Sequence, residues 1–170
     1  MNLHNIIIGG LEVGFEAAHQ LSQTYETIGG DALLRTLNGT AIKQTNWTKL
    51  RTRISGSGNM PAGLDALDYS ASLTIQCAAP RTVGSISNVI TLPAARRTDH
   101  PPHGYAIVNG RQVRTAVSIA TNTATLTTVA GATTYVCAYC PTLTVFANPP
   151  QLSFDARGVV AGWVIDAEEV

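Results

Sequence analysis

Two Asn-Gly dipeptides, Asn38-Gly39 and Asn109-Gly110, each join two runs of strand-forming residues. Asn-Gly in this setting is a strong hairpin signal, because a tight turn holds its central residues at positive φ. ALLRTL and TAIKQTNW flank the first dipeptide, and YAIV and RQVRTAVSI flank the second. Each arrangement therefore predicts an antiparallel hairpin.

The stretch before the first Asn-Gly has an alternative interpretation. Asp31 could cap a short helix that carries Leu33, Leu34 and Leu37 and ends at Gly39. In the hairpin interpretation, QLSQTYETI (20–28) is a separate strand that ends at Gly29-Gly30-Asp31.

Side chains alternate between polar and apolar along much of the chain. In TKLRTRISG, Lys49, Arg51 and Arg53 fall on one face of a strand, and Leu50, Thr52 and Ile54 fall on the other. Many short runs of this kind, separated by turn residues, predict an all-β fold: a sandwich or barrel of antiparallel strands, with one short helix at most. Helical turns are confined to GGLEVGFEAAHQL (9–21) and PAGLDALDY (61–69).

A proline-rich, polar break, PAARRTDHPPHG (93–104), is the candidate domain boundary. It predicts a β core of residues 1–95 completed by the C-terminal strand at about 150–170. Residues 104–149 would form a hairpin-rich lobe or insertion.

Charged residues are scarce and balanced. They make up 13% of the chain, with 11 basic and 11 acidic residues, whereas about a quarter is usual. A soluble monomer usually keeps its net charge away from zero, so this balance favours a protein that works in contact with others.

We expect no sequence-specific binding of nucleic acid. The first ten residues resemble neither a signal peptide nor a membrane anchor, so we expect synthesis in a cytosol.

The glycine-rich stretch GSGNMPAGL (56–64) follows the basic strand, as a phosphate-binding loop would. It has no Gly-Lys-Ser/Thr and no surrounding βαβ unit, so it predicts a long flexible connection.

Asp65 and Asp68 would share a face of a helical turn and could form an acid/base pair. No nucleophile or histidine motif accompanies them, so we expect Asp65 to cap a turn, no catalytic residue and no enzymatic activity.

Cys137-x-x-Cys140 and His100-x-x-His103 have the spacing of zinc ligands. Residues three apart on a strand point to opposite faces, however, and Pro101-Pro102 disfavours a helical histidine pair. We therefore expect reduced, buried thiols and no cofactor.

Lys49, Arg51 and Arg53, with Trp47 in register, could follow a phosphate backbone, but salt bridges between subunits or a solvated face fit the neutral net charge better.

Three segments resemble tail proteins of long-tailed bacteriophages: SQTYETIGGDALLRTLNGTAIKQTNWTKLRTRISGSGNMPAGLDALDY (22–69), TVAGATTYVCAYCPTLTVFANPP (128–150) and GWVIDAEEV (162–170). The resemblance implies a minor tail or tail-tip protein of the distal tail or hub type. Such proteins are virion components that form a ring at the end of the tail tube, on a β-sandwich related to the tube protein.

The resemblance implies a homo-oligomeric ring, with a hexamer favoured and a trimer as the alternative. Its partners would be the tail tube protein and other tail-tip or baseplate proteins. The loop would then reach a neighbouring subunit, which predicts assembly contacts at Arg51, Arg53, Gly56, Ser57, Gly58, Asn59, Met60 and Pro61. The alternative function is a carbohydrate- or receptor-binding β module of the virion.

Overall fold

The structure, a computed structural model, describes residues 5–14, 21–155 and 160–170. Its fold is all-β, with antiparallel sheets, as the turn pattern predicts. No helix occurs in these residues, and PAGLDALDY forms turns instead. Part of the other candidate helical stretch, residues 15–20, lies outside the described residues. The strands are β1 (Ile6–Ile8), β2 (Leu11–Val13), β3 (Ser22–Arg35), β4 (Ala41–Ser57), β5 (Leu73–Gln76), β6 (Arg81–Ser85), β7 (Val89–Thr91), β8 (His103–Val108), β9 (Arg111–Thr115), β10 (Val117–Ala120), β11 (Thr123–Leu126), β12 (Ala132–Tyr139), β13 (Thr142–Ala147), β14 (Gln151–Phe154) and β15 (Val160–Glu169).

The contacts divide the chain into two units. Unit 1 comprises the described residues of Met1–Ile7 and Ile75–Leu143, and unit 2 comprises those of Ile8–Thr74 and Thr144–Val170. These bounds differ from the predicted core and lobe. The break at 93–104 does not separate two bodies, because β6 pairs with β12 and β7 pairs with β11 across it.

Unit 1 contains a four-stranded sheet, β6-β12-β8-β9, and a three-stranded sheet, β10-β11-β7. Side chains of both sheets form one buried cluster that includes Ile90, Ala106, Leu126, Tyr135 and Cys137. Gly104 on β8 lies where the sheets approach closely, since a Cβ there would be 2.8 Å from Leu126 Cδ2. Burial of apolar side chains from both sheets stabilises this unit.

Unit 2 is organised around β4, in the sheet order β2-β1-β5-β13-β15-β4-β3. The C-terminal half of β4 lies between β3 and β15, and its register places Gly56 opposite Trp163 and Arg51 opposite Glu168. Thr52 and Ile54 are buried while Arg53 is exposed, which confirms the predicted alternation. The terminal segment is a sheet strand, also as predicted.

Both Asn-Gly hairpins are confirmed, but their turns differ. Asn109 and Gly110 have φ of 51° and 75°, as a two-residue turn requires. At the first hairpin, Gly39 has φ of 80° and Asn38 is not at positive φ. Thr36 N donates to Thr40 O at 3.0 Å and Gly39 N donates to Thr36 O at 2.9 Å. This is a three-residue loop closed by glycine, with Leu37 at its tip.

Two expectations about glycine-rich segments were wrong. Gly29-Gly30-Asp31 does not end a strand, because β3 continues through it with an irregular register against β4. The loop predicted at 56–64 is shorter, because Gly56 and Ser57 belong to β4. Gly56 is required there by close packing, since a Cβ would be 2.7 Å from the Trp163 ring.

Replacing Gly104 with alanine is expected to destabilise the protein by about 1–3 kcal/mol, because the added methyl group overpacks the space between the two sheets of unit 1. The matched control is Gly84→Ala on β6, where the nearest atom to a new Cβ is 3.7 Å away. Denaturant unfolding followed by far-UV circular dichroism measures both. Equal midpoints for the two variants would contradict the close approach at Gly104.

Candidate assembly surface

The most exposed part of unit 2 is the outer half of the β3–β4 hairpin, which we call the distal arm (residues 31–48). Each of its 18 residues is exposed. Leu33 and Leu34 are 63% and 54% exposed, and Leu37 at the tip is fully exposed. An isolated two-stranded ribbon is at best marginally stable in water, so a partner that covers the arm would stabilise it.

The two faces of the distal arm differ in character. Leu34 lies directly opposite Ile42, and Ala32 lies opposite Gln44. Residues directly opposite each other share a face, so these four define what we call the apolar face. The other face carries charge, because Lys43 lies 3.3 Å from Asp31 there.

The arm begins at an irregular position in the ladder. Gly29 pairs with Thr48 but Asp31 pairs with Thr45, so β4 has one extra residue at this point. The Trp47 ring covers Gly30, where a Cβ would be 2.9 Å from Trp47 Cδ1. Bulges of this kind increase local twist, and the indole ring fills the space that the missing side chain of Gly30 leaves.

The predicted contacts Arg51 and Arg53 lie closer to the sheet centre and have partners within the chain. Arg51 bonds Glu168 (Nη2–Oε1 2.5 Å) and Glu26 (Nη1–Oε2 3.2 Å). Arg53 Nη1 lies 3.5 Å from Asp166 Oδ2. The hydrogen bond to Glu168 raises the pKa of Arg51 above its ordinary value. These pairs compensate the charges of Arg51 and Arg53 within one subunit. Neither a phosphate backbone nor a second subunit is therefore needed to neutralise the two arginines.

The other predicted contacts lie at the opposite end of β4 from the arm. Gly56 is buried under Trp163, Ser57 pairs with Gly162, and Pro61 is buried. Gly58 N donates to Ala161 O at 3.1 Å. Of Gly56 to Pro61, Asn59 alone is exposed. This stretch is therefore packed against its own sheet, and its role in assembly stays a prediction.

The two aspartates of the turn region have local roles. Asp68 Oδ1 accepts hydrogen bonds from Ser70 N at 2.9 Å and Ser70 Oγ at 2.6 Å. These bonds lower the pKa of Asp68. Asp68 therefore caps a turn, and the predicted cap at Asp65 stays a prediction.

The four candidate metal ligands have different surroundings. Cys137 belongs to the buried cluster of unit 1, and Cys140 Sγ donates to Ala78 O at 3.5 Å. Cys140, His100 and His103 line a small pocket of about 60 Å³, and Cys137 does not. Among the described residues, no three side chains of His, Cys, Asp or Glu are grouped so as to hold a metal ion. Burial raises the pKa of both thiols, which disfavours the thiolate that a metal requires.

A buried arginine was not indicated by the sequence. Arg97 is 4% exposed, and its guanidinium forms a bidentate pair with Asp99 at 3.1 and 2.6 Å. Its Nη1 donates to the carbonyl oxygens of Asn5 at 2.5 Å and Cys77 at 3.3 Å. The hydrogen bonds from Arg97 lower the pKa of Asp99. Arg97 therefore joins separate chain segments of unit 1, and it has a structural role.

Searches with protein-family models and among curated proteins found no match. No apolar helix of bilayer-spanning length occurs in the described part of the chain. The distal arm is the longest run of consecutive exposed residues in the described part of the chain. The one sequence signal for it was an apolar residue, Leu37, beside the Asn-Gly turn.

Removal of metal is expected to leave folding unchanged, because Cys137 lies apart from the other three candidate ligands and the described residues hold no group of three ligands placed to bind a metal ion. The melting temperature should be the same before and after treatment with a chelator, and elemental analysis of the purified protein should find no stoichiometric metal. Stoichiometric zinc or iron that is lost on replacing Cys137 and Cys140 with serine would contradict this account.

Proposed function

We propose that the chain is a structural subunit of a bacteriophage tail tip, which forms a ring at the distal end of the tail tube and joins the tube to the baseplate or central fibre. The observation that carries the proposal is the distal arm (31–48), a ribbon exposed along its whole length. The resemblance of residues 22–69, which contain the arm, to phage tail proteins supplies the biological setting.

The composition of the arm supports a role in assembly. It has three charged residues in 18, Asp31, Arg35 and Lys43. It contains no proline, and proline and charge are the usual protections of an exposed edge. Covering apolar side chains such as Leu34 and Ile42 would release about 25 cal/mol for each Å² removed from water.

The other chemically notable residues have local structural roles, which also favours an assembly function. Asp68 closes a turn, Cys137 lies in a core, and Arg51 is paired within its own sheet. In this proposal the subunit joins copies of itself, the tail tube protein and other tail-tip or baseplate proteins. Six-fold symmetry is favoured by analogy with tail tubes, with three-fold symmetry as the alternative.

The test is an arm deletion in a phage whose genome encodes the chain. Residues 32–44 are replaced by Asn-Gly, which joins the paired residues Asp31 and Thr45 by a tight turn. The subunit should fold with little change in melting temperature, because the removed residues are exposed. We expect few or no infectious particles, with tails that lack this subunit.

The matched control is Ile86→Asp, which removes an exposed apolar side chain of unit 1 and should leave assembly intact. Mass spectrometry of purified virions should detect the wild-type chain. Its absence from virions, or full infectivity with the shortened arm, would contradict the proposal.

A further inference from the structure

A second exposed element of unit 2 is the strand β14. All four of its residues are exposed, and they include Leu152 (44%) and Phe154 (62%). Within the described residues, β14 pairs with β15 alone. Its outer edge therefore leaves backbone donors and acceptors open to another strand.

The edge of β14 and the distal arm lie at opposite ends of the same sheet. Leu152 pairs with Trp163, which pairs with Gly56 of β4. The arm ends at Thr48 of the same strand, eight residues away. At about 3.3 Å per residue this separation is about 27 Å. An arm therefore points away from the β14 edge of its own subunit.

The two surfaces match in chemistry. The pairing of β14 with β15 is irregular between Ser153 and Phe154, where β15 has one extra residue. Because the extra residue lies in β15, Leu152 and Phe154, two residues apart, still share one face of β14, as Ala32 and Leu34 share the apolar face of the arm. An arm added beside β14 would pair free backbone edges and would continue one apolar face across both copies. Strand addition of this kind is a recurring mode of recognition.

The charge distribution favours a second copy as the partner. The arm has two basic residues and one acidic residue, which gives +1. The whole chain has a formal net charge of zero, so the remainder carries −1. Copies of this chain therefore do not repel each other, and the arm is attracted weakly to the body of another copy.

We infer that the distal arm of one copy adds to the β14 edge of a second copy, head to tail. The inference rests on the proposed ring for its biological setting. In this head-to-tail arrangement the second copy does not return the contact, so the contact is heterologous, and its repetition produces a closed ring or an open helix. A reciprocal exchange of arms between two copies would instead give a closed symmetric dimer.

The experiment uses two variants of the full chain. The arm variant is Leu34→Lys with Ile42→Glu, which keeps an attractive pair of opposite charges across the hairpin but removes the apolar face. The edge variant is Leu152→Lys with Phe154→Glu. The matched control is Leu33→Glu, which removes an exposed leucine from the other face of the arm, opposite Lys43. All these positions are exposed, and circular dichroism checks that each variant folds.

Native mass spectrometry over a range of concentrations measures self-association. The wild type and the control should form assemblies larger than dimers, and each variant alone should stay monomeric. An equimolar mixture of the two variants should form one-to-one complexes and nothing larger, because one intact arm meets one intact edge. This complementation distinguishes a head-to-tail contact from an arm-to-arm contact.

A wild type that stays monomeric or stops at a dimer would overturn the inference, as would an edge variant that assembles normally. These outcomes are separate from the tail-tip role. A chain that is found in virions but whose edge variant assembles normally refutes the contact alone. A chain that shows the complementation but is absent from virions refutes the tail-tip role alone.

Discussion

The length of β4 is the constraint on which the rest of unit 2 depends. It runs from Ala41 to Ser57, but its pairing with β15 covers only Arg51 to Ser57. Beyond that point β3 is its only neighbour among the described strands, so the hairpin leaves the sheet as a two-stranded ribbon. A ribbon without a third strand or a covering layer buries little apolar surface. Its stability and its function are therefore expected to come from a partner.

Local signals in the sequence predicted the fold class well. Asn109-Gly110 and Asn38-Gly39 marked hairpins because positive φ is a property of the turn itself. The alternation around Thr52 and Ile54 marked a half-buried strand because that pattern has a period of two. The predictions that failed depended on distant residues. Trp47 fills the space at Gly30 and lets β3 continue, and Trp163 packs on Gly56, where the glycines alone had indicated a loop.

The candidate site was predicted less well, because exposure is not a local property. Leu34 and Ile42 look like core residues in the sequence, and they are exposed only because no strand of the described chain reaches them. Arg51 is predicted as a contact residue, and that stays a prediction; the structure shows that Glu26 and Glu168 from the two neighbouring strands compensate its charge. The sequence indicated a candidate surface at the glycine-rich end of β4, and the structure adds the exposed arm at the opposite end of this strand. A role in assembly remains the best explanation for both the neutral composition and the exposed arm.

Hydrogen exchange of the distal arm is the most direct measurement of whether it is an assembly element. In the free subunit, the amides of residues 31–48 should exchange quickly, because an exposed ribbon opens easily. In the assembled state they should exchange at least about 100-fold more slowly, while the buried strand β12 should be equally protected in both states. Equal exchange of the arm in free and assembled protein would contradict the account.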